Sequence, residues 1–113
     1  MKKKFLFYAM RGQKMCFLHV LMNAVDLDKS GYEEKIVFEG EAVTLPPVLA
    51  DEKNPLYQKC LELGLIAGVC KGCASTLGVL DKIEALDLPL LTDMNGHAGV
   101  KPFIEQGYQV AVF

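Results

Sequence analysis

The sequence predicts an α/β fold: a single three-layer, flavodoxin-like domain over residues 1–113, with a five-stranded, mostly parallel sheet and helices on both faces. Three observations lead there. Short uninterrupted apolar runs alternate with longer segments of helical spacing, the pattern of strands buried on both faces and joined by crossover helices. Glycine and proline punctuate the junctions between them. Finally, 113 residues, 51% of them hydrophobic, suffice for one core and not for two.

Phe5 to Met10 is a continuous apolar run broken by Arg11-Gly12-Gln13, and it reads as the first strand. Lys14 to Leu27 reads as a helix stopped by Lys29-Ser30-Gly31, with Met15, Leu18, Met22 and Val25 on one face and Cys16, Val20, Asn23 and Leu27 on another. It is apolar nearly all round, so contact beyond its own sheet is expected. His19, Asn23 and Asp26 share a polar stripe on it. Glu34 to Glu39 is the second strand, and Gly40 through Ala50 is expected to form a long irregular loop. Asn54-Pro55 is an N-cap followed by a first-turn proline, opening a short helix from Leu56 to Leu63 that Gly64 ends.

Leu65 to Val69 is the third strand, Ala74 to Leu86 a helix with Leu77, Leu80, Ile83 and Leu86 at apolar spacing, and Leu88 to Leu91 a brief fourth strand with Pro89 near its start. Gly99 to Gln106 forms the last helix, which admits Pro102 only near its first turn, and Tyr108 to Phe113 the fifth strand. Right-handed crossovers and the size suggest the strand order 2-1-3-4-5. In that order the third strand lies between the first and the fourth. Three loops would then meet at the carboxyl edge: Arg11 to Lys14, Cys70 to Cys73 and Thr92 to His97.

Cys70-Lys71-Gly72-Cys73 carries the most chemical information, because it joins a buried strand's carboxyl end to a helix's amino end. Free N–H groups, the helix dipole and Lys71 there favour thiolate, the reactive form of cysteine. Cys70, at the strand end, is expected to be the more acidic and reactive thiol, with Cys73 one turn away to exchange with it. Arg11 and His97 are expected on either side, as cation and as base, with Arg11 and Lys71 as substrate-binding groups. Cys16 and Cys60 read as core residues.

Metal and cofactor motifs are incomplete. Cys70, Cys73 and His97 make three ligands and would need a fourth from water or a neighbouring subunit, so no metal is expected, and no other cofactor is expected either. The loop after the first strand lacks the hydroxyl-rich character of a flavin phosphate site, and no glycine-rich dinucleotide fingerprint occurs. A thioredoxin-type protein would follow its C-x-x-C with antiparallel strands, whereas parallel ones are read here. The net charge of −2, with both signs interspersed, offers nothing for nucleic acid. Met1-Lys2-Lys3-Lys4 and the apolar run after it are too short for a leader, and no run is long enough to span a membrane. A cytoplasmic, reducing location is expected, where a cysteine pair is more often catalytic or metal-binding than structural.

The turn Ile66-Ala-Gly-Val-Cys-Lys-Gly-Cys-Ala74 followed by Gly78-Val79, then Gly96-His97 and the strand Glu105-Gln-Gly-Tyr-Gln-Val-Ala-Val-Phe113, resembles the DsrE/DsrF-like superfamily, which includes TusD-type sulfur carriers. The resemblance spans essentially the whole chain. It implies a flavodoxin-like homo-oligomer, trimeric or hexameric, whose active members carry a persulfide on the cysteine of this turn and exchange sulfur with donor and acceptor proteins. Cys70 takes that position and Cys73 that of a second cysteine found in some members. A sulfurtransferase-like persulfide carrier is the expected function. A non-catalytic oligomeric module binding a metal or small ligand at the cysteine edge, or a dithiol redox protein, is the alternative.

Overall fold

The computed structural model describes residues 3–113; Met1 and Lys2, the start of the lysine run weighed above as a leader, lie outside them. Five strands, β1 (Lys4–Ala9), β2 (Glu33–Phe38), β3 (Ile66–Cys70), β4 (Leu90–Leu91) and β5 (Tyr108–Val112), form one all-parallel sheet. Six α-helices accompany them: α1 (Lys14–Lys29), α2 (Leu45–Asp51), α3 (Pro55–Glu62), α4 (Lys71–Thr76), α5 (Leu80–Ala85) and α6 (Lys101–Glu105). The α/β class, the parallel sheet and the alternation of strand and helix are as the sequence predicts.

The strand order is not. It is β4-β3-β2-β1-β5, which sets β2 and not β1 beside β3. The physical reason is burial: Ile36, Val37 and Phe38 of β2 are all fully buried, as in a central strand, and the expected order would leave them on an edge. β4 has only two residues and follows Pro89, which suits an edge.

This order fixes the layers. The chain moves one way across the sheet from β1 to β4 and then returns to β5, so right-handed crossovers place α1 through α5 on one face and α6 on the other. Ring contacts agree. Phe17 of α1 lies 4.9 Å from Phe38, whereas Phe103 of α6 packs edge-on against Tyr108 at 5.7 Å.

Three local expectations are corrected. Gly40 to Ala50 is no irregular loop: a 3-10 helix over Gly40–Thr44 leads into α2, and Leu45, Pro46 and Leu49 are buried. Proline fits the first turn of α2 because the N–H it lacks would have no helical partner there. The single helix expected from Ala74 to Leu86 is two, α4 and α5, parted at Gly78, whose φ of +74° ends the first. α1 buries one stripe, Phe17, Val20, Leu21, Ala24 and Val25, and leaves Met15 and Met22 exposed. No helix among the described residues is long and apolar enough to cross a membrane.

Candidate functional site

At the carboxyl edge the backbone runs from β3 into α4 at Cys70, which is the N-cap of that helix. The helix starts three residues earlier than the spacing predicts, so both cysteines belong to its first turn. Cys70 Sγ takes the role that Ser or Asp oxygen usually has at an N-cap, accepting the N–H of Cys73 at 3.4 Å. A second backbone N–H, from Ala98, reaches the same sulfur at 3.3 Å. With only six residues in α4, these two directed bonds matter more than any helix dipole.

His97 arrives from the far side of β3. Asn95 and Gly96 both have positive φ, 50° and 87°, and Met94 and His97 exchange backbone hydrogen bonds across them. This is a two-residue type I′ hairpin, for which Asn-Gly is the favoured pair. The Gly72 N–H donates to Gly96 O at 2.8 Å and docks the hairpin on α4. The imidazole then lies over Gly72 so closely that a Cβ there would stand 2.6 Å from its Cε1. Its Nδ1 sits 3.2 Å from Cys70 Sγ and 3.5 Å from Cys73 Sγ.

The strand order brings in two residues that the sequence reading missed. Glu39, immediately after β2, is only 6% exposed. Its Oε1 accepts the Cys73 thiol at 3.0 Å and lies 3.9 Å from His97 Nδ1. Its Oε2 lies 2.9 Å from the hydroxyl of Tyr8, in β1, which is also 2.8 Å from Ala98 O. Tyr8 thereby joins the carboxylate to the segment that carries His97. A glutamate closing the apolar run Ile36-Val37-Phe38 at the sheet's carboxyl edge was the available signal.

Burial and the neighbouring carboxylate act strongly on Cys73 and Tyr8. Burial, then the hydrogen bond to Glu39, pushes Cys73 up from its ordinary value of 9.0 to about 12. Burial and the same carboxylate push the Tyr8 hydroxyl well above the tyrosine range. Cys70 is fully buried, while Cys73 is half-buried. Cys73 and His97, with Gly40, Glu41, Thr76 and Leu77, line a depression of about 280 Å³ that opens the site to solvent.

The other sequence candidates fall elsewhere. Arg11 lines a separate depression with Cys16, Val112 and Phe113, and Lys71 is exposed at the first position of α4. Cys60 is a core thiol, raised to about 12 chiefly by burial, whereas Cys16 is half-buried and its thiol donates to Gln13. One donor atom from each of Glu39, Cys70, Cys73 and His97 lies within 4.8 Å of every other. This set offers nucleophilic sulfur, proton acceptors and metal-ligand chemistry in one place.

No protein-family model matches the chain, and no solved structure matches it. An uncharacterised protein of Archaeoglobus fulgidus is 35% identical over 46 residues, covering 41% of this chain and 75% of that protein. The uncharacterised protein MJ0733 of Methanocaldococcus jannaschii is 34% identical over 93 residues, covering 82% of this chain and 76% of that protein. With that identity over most of both sequences, the chain belongs to the same family as MJ0733.

Proposed function

We propose that this protein is a sulfur carrier of the DsrE/DsrF-like kind, holding sulfane sulfur as a persulfide on Cys70. The observation that carries the reading is the setting of Cys70 Sγ: two backbone N–H donors at 3.3 and 3.4 Å and an imidazole nitrogen at 3.2 Å surround a sulfur away from solvent. The two backbone N–H donors stabilise sulfur anions, both the attacking thiolate and the persulfide that follows it. The Cys70 thiolate attacks the outer sulfur of a donor persulfide R–S–SH. The new bond makes Cys70–S–SH, and the donor leaves as R–S⁻. His97, whose side chain is 43% exposed, is the movable cover through which the donor reaches the buried sulfur.

Release follows the same chemistry. An acceptor thiolate takes the outer sulfur and restores the Cys70 thiolate; alternatively, Cys73 gives its proton to Glu39 and attacks the inner sulfur, forming a Cys70–Cys73 disulfide and expelling HS⁻, and an external dithiol reductant then restores both thiols. Cys73, protonated beside Glu39, stays out of the first step and does not compete with the donor. The chemistry needs its cysteines kept as thiols, so the proposed location is a reducing compartment such as the cytoplasm. The carrier works as a homo-oligomer that meets donor and acceptor proteins at this edge.

Intact mass after anaerobic treatment with a small-molecule persulfide tests the proposal. A gain of one sulfur atom that persists in Cys73→Ser and vanishes in Cys70→Ser is the expected result. Absence of any sulfur gain in Cys73→Ser, which cannot pass on to the disulfide, or a gain that survives Cys70→Ser, would reject it.

A further inference from the structure

We infer that Glu39, Cys70, Cys73 and His97 form a four-ligand site for a thiophilic divalent cation of the Zn²⁺ class. The inference does not depend on sulfur transfer. It rests on a donor set of two sulfurs, one imidazole nitrogen and one carboxylate oxygen, drawn from the ends of β2, β3 and the hairpin after β4. Spacing within Cys70-Lys71-Gly72-Cys73 supplies half such a site, and the strand order supplies the fourth ligand that the sequence reading found missing.

The distances fit. Zinc bonds of about 2.3 Å to sulfur and about 2.0–2.2 Å to nitrogen or oxygen separate tetrahedral donors by roughly 3.3–3.8 Å. Cys70 Sγ and Cys73 Sγ lie 3.2 and 3.5 Å from His97 Nδ1. Glu39 Oε1 lies 3.0 Å from Cys73 Sγ and 3.9 Å from His97 Nδ1. All four donor atoms lie within 4.8 Å of one another, so shifts of up to about 1 Å close the tetrahedron around a cation, which enters beside Cys73 and His97.

The supporting contacts are those that metal sites use. Tyr8 OH engages Glu39 Oε2 and so leaves Oε1 facing the sulfurs. Backbone N–H groups of Cys73 and Ala98 already point at Cys70 Sγ. Binding releases the thiol protons to solvent and leaves each sulfur as thiolate. Two soft sulfurs select Zn²⁺ and its relatives over Mg²⁺ or Ca²⁺, and four protein ligands leave no open position, which makes this a holding site and not a hydrolytic one.

Cobalt reports the geometry directly. Reduced protein stripped with a chelator should, on titration with Co²⁺, develop a sulfur-to-cobalt charge-transfer band and the strong visible bands of tetrahedral coordination, saturating at one cation per chain and bleached by Zn²⁺. Glu39→Ala should weaken binding, with water taking the fourth position, while Cys73→Ser should lose about half of the sulfur band, which scales with the number of thiolate ligands. Tyr8→Phe, which touches no cation, should cost about 10- to 100-fold in affinity, with circular dichroism confirming that the variants are folded. Absence of the sulfur band in wild type, or a band unchanged in folded Cys73→Ser, would overturn the site. Neither outcome bears on the mass test, which is run without metal.

Discussion

At the scale of single residues, burial and the pairing with Glu39 together hold the Cys73 thiol well above its ordinary range. Cys73 and the core thiol Cys60 are both held near 12, against an ordinary 9.0. Below about pH 9 both are protonated whether the chain is folded or not, and they add no pH dependence to stability. Above it the unfolded chain sheds these protons first, so stability should fall as pH rises from 9 toward 12. Denaturant midpoints measured near neutrality and at about pH 10 check the sign, and a rise would contradict it. Glu39→Gln should let Cys73 ionise at lower pH, because charge repulsion disappears while burial, the larger cause, remains. Alkylation of Cys73 against pH reads that shift. The site was half legible in the sequence. C-x-x-C and Gly96-His97 declared themselves by local pattern, but Glu39 and Tyr8 enter only through the pairing of β1 with β2 and of β2 with β3, which no local spacing encodes.

Two glycines separate the positioning of the site from the stability of its elements. Gly72 lies in the first turn of α4 beneath His97, and the atoms nearest to an added methyl would be those of the ring, at 2.6–2.8 Å. That ring is partly exposed and can swing aside. Gly72→Ala should therefore leave the thermal midpoint close to wild type while moving Nδ1 off both sulfurs, which nuclear magnetic resonance titration of His97 would detect. Gly68, inside β3, differs. Its added methyl would stand 2.8 Å from Pro89 O and 2.8 Å from Leu91 Cγ, and backbone cannot swing aside. Gly68→Ala should push β4 off the sheet and cost about 1–3 kcal/mol. Equal stability losses in the two variants would refute the distinction. The β-strands were readable because apolar runs of Val, Ile and Phe bounded by glycine have few other uses. α2 was not, because Pro46-Pro47 reads as a helix breaker unless its place in the first turn is known.

Over the whole molecule, strand order was the largest thing the sequence reading got wrong, although β2's unbroken apolar core and β4's proline both argued for the observed arrangement. The first helix reads as apolar nearly all round, so contact beyond its own sheet is expected; in the structure its exposed apolar side chains are reduced to Met15 and Met22. A different surface takes that role. Met10, Met15, Val112 and Phe113 are 42%, 75%, 65% and 37% exposed. Met10, Val112 and Phe113 gather where β1 and β5 end: Met10 N–H donates to Phe113 O at 2.6 Å, and Val112 and Phe113 border the depression lined by Arg11 and Cys16. β5 is also a sheet edge, with backbone groups open to pairing. Apolar side chains clustered on an open edge favour a second copy of the chain, and burying them would contribute roughly 25 cal/mol per Å². Sedimentation at about micromolar concentration should therefore give a homo-oligomer, and Val112→Asp, which places charge on the surface and disturbs no core contact, should shift it toward smaller species with the fold intact. A stable, soluble wild-type monomer, or a Val112→Asp assembly identical to wild type, would remove this edge as the interface.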